Sequence, residues 1–124
     1  MKLIPLLLLF GMLAASGWAL DKKAEPYSAE LVKKARAGDV DAQFNLGEHY
    51  FKGEGIAKDE AEAAKWFQKS ADQKDALAEY TLGVCYLYGY GVPRNRAEAL
   101  KLFNKSAEQG YDLAKEALQR LKSK

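Results

Sequence analysis

The amino-acid sequence predicts an all-α fold: a right-handed α/α solenoid, or superhelix, of two helical hairpins flanked by single capping helices. Three observations lead there. The chain repeats itself at a spacing of 36 residues. The apolar residues of each unit recur at helical spacing, and no segment alternates as a half-buried strand does.

Taken from the N-terminus, residues 1–19 (MKLIPLLLLFGMLAASGWA) read as a secretory signal peptide. Lys2 supplies the positive start, Leu3 to Ala15 the apolar run, and Gly17-Trp18-Ala19 the small residues before a cleavage point after Ala19. A retained membrane anchor is the rival reading. The apolar run is shorter than the roughly 20 residues a span needs, and Pro5 lies within it. No cysteine stands near the cleavage point to take a lipid. The expected location is therefore periplasmic or secreted, with no stable membrane insertion after cleavage.

Residues 20–41 form an N-terminal linker and capping helix, in which SAELVKKARA (28–37) followed by Gly38-Asp39 resembles the second helix of a unit standing alone. Residues 42–77 and 78–113 are the two repeats, identical at sixteen of 36 positions. In the first, Ala42, Leu46, Gly47 and Tyr50 lie on one helical face. Gly53 ends that helix and Gly55 tightens the connection. Asp59 caps the next helix, with Glu62 three residues on completing a capping box; Asn95 and Glu98 repeat the arrangement. The second helix presents Ala61, Ala64, Trp66, Phe67, Ser70 and Ala71, matched later by Ala97, Leu100, Phe103 and Ala107. Small Gly47 and Gly83 let the two helices of each hairpin approach closely. Residues 114–124 complete a C-terminal capping helix read over 112–123, whose Leu113, Ala117, Leu118 and Leu121 cover the open end of the stack.

The composition excludes several functions. A chain of 124 residues suits one domain, and 19 basic against 17 acidic residues are too balanced for a nucleic-acid binder. The basic excess near the C-terminus (Lys115, Arg120, Lys122 and Lys124 against Glu116) suits the negative end of a helix dipole. One cysteine makes no internal disulfide, and one histidine builds no multi-histidine metal site. No cofactor is implied.

The run A-x-x-x-L-G-x-x-Y-x-x-G-x-G-(I/V), continuing to K-x-(W/L)-F-x-K-S-A, resembles the Sel-one-like repeat (SLR), a relative of the tetratricopeptide repeat with a longer internal loop. The resemblance covers both units and both caps. It implies a protein-binding adaptor rather than an enzyme, and an exported one, as many bacterial members are. The sequence departs from the family in two ways. Lys74 stands where the family usually has glycine, at a cost of about 1 kcal/mol for a left-handed residue with a side chain. A cysteine-rich branch, for which β-lactamase activity has been claimed, places paired cysteines in each repeat, whereas Cys85 is alone here. An envelope hydrolase of that kind is the alternative function, and a purely structural element of an assembly is a third.

Chemistry is otherwise sparse. His49 and Cys85 occupy equivalent positions in neighbouring units, but helix packing near 10 Å holds such positions too far apart for a direct hydrogen bond, so both read as packing residues. No Ser-x-x-Lys motif occurs. Gly53-Glu54-Gly55 and Gly89-Tyr90-Gly91 follow no strand and lack the Lys-Ser/Thr end of a phosphate loop. Asp59, Glu60 and Glu62 sit where capping and the helix dipole favour acids.

Binding is the better-supported expectation. By analogy with tetratricopeptide stacks, the partner-facing residues are Phe44, Glu48, Phe51 and Lys52 in the first unit, and Tyr80, Val84, Leu87, Tyr88 and the loop residue Tyr90 in the second. Phe51, Leu87, Tyr88 and Tyr90 are not demanded by the repeat, and exposed aromatic residues of this kind mark recognition sites. The expected partner is another protein, offering an extended segment or a helix to a monomer. The competing expectation is that the C-terminal helix buries the aromatic segment 86–90.

Overall fold

The computed structural model describes residues 24–123. The signal-peptide reading lies outside the described residues. Within them are six helices: α1 (Ala29–Arg36), α2 (Val40–Lys52), α3 (Glu60–Asp72), α4 (Ala76–Tyr88), α5 (Arg96–Glu108) and α6 (Asp112–Lys122). None of them is long and apolar enough to cross a membrane. The described chain contains no strand. Helices α2 and α3 form the first hairpin, α4 and α5 the second, and α1 and α6 flank them.

The local chemistry sets each boundary. The side chains of Ser28, Asp39, Asp59, Asp75 and Asn95 each accept a backbone N–H in the first turn that follows. Gly53 and Gly89 end α2 and α4 in the left-handed region, at φ 72° and 76°. Lys74 occupies that region at φ 66°, as its departure from glycine predicts. The capping boxes are only half made, a correction to the sequence reading. Asp59 and Asn95 accept from Glu62 and Glu98, but their own N–H groups donate to the Tyr50 and Tyr86 carbonyls at 2.8 and 2.9 Å. That bond fastens each loop to the helix before it and leaves the glutamate nothing to reach back for.

The hairpins close as the small residues require. A Cβ on Gly47 would lie 2.7 Å from the Phe67 ring, and one on Gly83 would lie 2.7 Å from the Phe103 ring. The packed stripe on the second helices differs from the expectation: Ala61 and Ala97 are exposed, whereas Ala63 and Ala99 are fully buried. The stripe runs Ala63–Phe67–Ser70–Ala71, with the Ala63 carbonyl and the Phe67 ring set against Gly47. Buried Ser70 and Ser106 donate to the carbonyls of Val40 and Ala76, at 3.2 and 2.7 Å, and so tie the end of each hairpin to its beginning.

A glutamine after the second helix of each hairpin reaches back to the first helix of the same hairpin and to the turn before it. Gln73 Nε2 donates to the Gly38 carbonyl and to Gln43 Oε1, and 36 residues on Gln109 Nε2 donates to the Lys74 carbonyl and to Glu79 Oε1. At the N-terminus, extended residues 24–28 form a strap that fills the place held in the next unit by the first turns of α3. Pro26 keeps Glu25 extended, and Tyr27 packs against Gly55.

Candidate partner-binding surface

The nine sequence-predicted residues divide into three groups. Phe44 is withdrawn as a partner contact: it is 1% exposed and packs on Phe67 with ring centroids 5.4 Å apart. Its position faces the interior of the first hairpin, which is why the repeat demands an aromatic residue there. Tyr80, Val84 and Leu87 are half-buried in the cluster formed by Phe103, Leu118 and Leu121. Tyr80 lies between Phe103 and Tyr111, 5.6 and 5.4 Å from their ring centres, and burial raises its phenol above the ordinary value. The C-terminal helix therefore covers the part of the segment nearest to it.

The remaining residues come together on one surface. Tyr88 and Tyr90 are the exposed large hydrophobic residues among those described, at 59% and 37%. Their rings lie 5.7 Å apart, and Tyr90 meets the half-buried Phe51 edge-on at 5.5 Å. The helix end of the first unit and the loop of the second thus build one aromatic ladder. The left-handed Gly89 between the two tyrosines turns the chain so that both rings come to the same side. Next along the chain from Phe51, Lys52 pairs with Glu48 at 2.9 Å across one helical turn. This arrangement offers apolar rings with hydroxyl tips and a neutralised rim. It can desolvate against a partner and accept or donate a few hydrogen bonds.

Groups that could do chemistry are arranged otherwise. Cys85 is buried, and burial pushes its thiol up to about 12, so it is not a nucleophile near neutral pH. His49 is not the packing residue that its equivalence to Cys85 suggests: its two ring nitrogens contact the carbonyl oxygens of Glu25 and Glu54. Neither pairs with the other. No group of three or more His, Cys, Asp or Glu side chains that could hold a metal occurs among the described residues. Asp59 caps α3, Glu60 pairs with Lys58 and Glu62 with Lys65, which accounts for the acidic cluster.

Sequence reasoning missed one surface. Ala61, Ala64, Leu82, Tyr86 and Val92 floor a groove of about 560 Å³, with Lys65 and Lys69 on its rim. Its residues come from three separated elements, and no periodicity within any one of them announces it.

Comparison with known proteins places these units. The profile of the Sel1 repeat matches residues 40–75 and 76–111. Among solved structures, the chain is similar to a Sel1 repeat protein from Oxalobacter formigenes, with 35% identity and a TM-score of 0.72, over 73% of this chain and 26% of that one. It is also similar to a protective antigen of uropathogenic Escherichia coli with an SLR fold, with 32% identity and a TM-score of 0.65, over 80% of this chain and 22% of the other. The chain thus spans about a quarter of the length of these relatives. No curated protein matches it.

Proposed function

The chain belongs to the Sel1 repeat family, whose repeats generally mediate protein–protein interactions, and on that premise we propose that it is an exported, non-enzymatic module that binds another protein of the cell envelope as an adaptor or inhibitor. The signal-like residues 1–19 support export. The observation that carries the binding role is the ladder of Phe51, Tyr90 and Tyr88, of which the two tyrosines are exposed although the neighbouring Tyr86 and Leu87 pack in the cluster of the C-terminal helix. Isolated exposed tyrosines are ordinary; adjoining rings beside a neutralised charge pair are what interface anchors look like. The partner is a protein segment short enough to lie across two units, with Glu48 and Lys52 orienting it at the rim.

The experiment is a pull-down from envelope extract with the purified protein as bait, followed by affinity measurement on the partner recovered. Tyr88→Ala and Tyr90→Ala each weaken that binding by about 1–2 kcal/mol and leave the melting temperature nearly unchanged. If both variants melt several degrees lower and bind fully, the tyrosines are packing residues and the ladder is not the site. A chromogenic β-lactam supplies the control for the enzymatic alternative: turnover abolished by one substitution would replace the adaptor reading.

A further inference from the structure

His49 is the one histidine of the chain, and both of its ring nitrogens face backbone oxygen. Nε2 lies 2.7 Å from the carbonyl of Glu25, and Nδ1 lies 3.0 Å from the carbonyl of Glu54. A carbonyl oxygen only accepts. A neutral imidazole has one N–H to give and one lone pair; only the imidazolium has two N–H groups. The site as built therefore fits the charged ring, and removing a proton sets a nitrogen lone pair against a carbonyl.

The two carbonyls belong to different parts of the chain. Glu54 sits in the loop after α2, where it is held independently: the N–H groups of Gly53 and Glu54 donate to the His49 carbonyl, and Asp59 N–H donates to that of Tyr50. Glu25 sits in the strap, where the ties run through side chains. Its N–H reaches Asn45 Oδ1 at 3.4 Å, its carboxylate pairs with Lys34 at 3.1 Å, and Tyr27 meets the His49 ring edge-on at 5.9 Å. At the spacing of 36 residues Glu25 corresponds to Ala61, inside the first turn of α3, and His49 to the buried Cys85. There the helix secures itself. In the first unit a side chain must do it.

We propose that His49 is a proton-operated latch on the strap of residues 24–28. Charged, the ring ties the strap and the loop to α2; neutral, it gives up one carbonyl, and the strap is the side that loosens. The titratable residues set against the ring and its ties are Glu25 and Tyr27 on the strap, Glu54 in the loop, and Lys34 on α1, which pairs with Glu25. Of these side-chain types imidazole is the one whose charge ordinarily changes near neutral pH. The latch holds while the ring is charged, on the acid side, and opens as pH rises.

With one histidine the test is direct. Ring and backbone nitrogen signals are followed by NMR from pH 5.5 to 8 in the purified protein and in His49→Gln, which keeps an N–H donor but does not titrate. The latch requires the amides of Glu25, Tyr27 and Glu54 to move with the same midpoint as the ring, and the Tyr27–His49 ring contact to weaken at high pH. In His49→Gln the pH dependence of those amides disappears. The variant melts about 3–6 °C below the parent at pH 5.5, and the gap shrinks by at least half at pH 8. Strap amides that ignore the ring's midpoint, or that titrate equally in the variant, would overturn the proposal. The parent titration decides the matter even if the variant does not fold.

Discussion

Helices α2 and α4 are the same element built twice, and they differ where they do not face the second helix of their hairpin. Ala42, Leu46, Gly47 and Tyr50 recur as Ala78, Leu82, Gly83 and Tyr86, because the hairpin packing admits little else. Around that stripe the first unit is satisfied and the second is not. Gln43 donates to the Ala35 carbonyl while accepting from Gln73, whereas Glu79 puts a carboxylate in the same buried place. Asn45 bonds to the Asp41 carbonyl; Thr81 buries a hydroxyl with no partner. Gly38 takes its positive φ freely, and Lys74 takes one with a side chain attached. On the surface, the Glu48–Lys52 ion pair gives way to Val84 and the exposed Tyr88. The unit that departs most from easy folding also carries the exposed tyrosines, the pattern expected where a surface is kept for binding rather than for stability.

The strongest way to break this comparison is at the loop glycines. An alanine methyl at Gly91 meets the carbonyl of Glu60 in helix α3, whereas at Gly55 it meets Tyr27 Cβ in the strap at 2.6 Å. Both positions have φ near +75°. Gly91→Ala therefore costs about 3 kcal/mol and lowers the melting temperature by more than about 10 °C, because helix backbone does not yield. Gly55→Ala costs about 1–2 kcal/mol, because the strap swings aside. Equal losses by calorimetry would mean that the strap is as rigid as a helix.

Glu79→Gln converts the second unit's bridge into the first's. Burial raises the Glu79 carboxyl, against the opposing pull of the Gln109 hydrogen bond. The fold thus favours the protonated form: this residue's contribution is fullest below the ordinary carboxylate range and is lost as pH rises through the folded value. Near pH 7 the variant gains about 1 kcal/mol, and the fall in melting temperature from about pH 4 to 7 flattens. A variant no more stable than the parent at pH 7 would show that water solvates the carboxylate. The smallest effect is Lys74→Gly, which relieves a left-handed residue but loosens the unfolded chain. A net gain of about 0.5 kcal/mol in denaturant titration is expected.

How much of this could be read beforehand depends on whether a residue's role is local. The 36-residue period, the αL glycines, the caps and the close approach at Gly47 and Gly83 are set by neighbours along the chain or by the repeat itself, and all were legible. The buried stripe through Ala63 was not, since Ala61 and Ala63 are equally apolar and only the partner helix chooses between them. The strap was illegible because an extended segment has no period of its own, and His49 therefore looked like another packing residue. Among the binding candidates, Phe44 was misjudged because the family's aromatic position points into the hairpin. The exposure of Tyr88 and Tyr90 depended on how far α6 reaches, which no residue of segment 86–90 encodes.

Every substantial helix contact joins consecutive elements: α1 with α2, α2 with α3, and onward to α6. The consequence is kinetic. No substantial pairing of helices waits for a distant element, so the chain can fold quickly and start from either hairpin. Pulled from its ends, it would come apart unit by unit instead of in one rupture, with the seam at Gly91 deciding whether the two hairpins let go together.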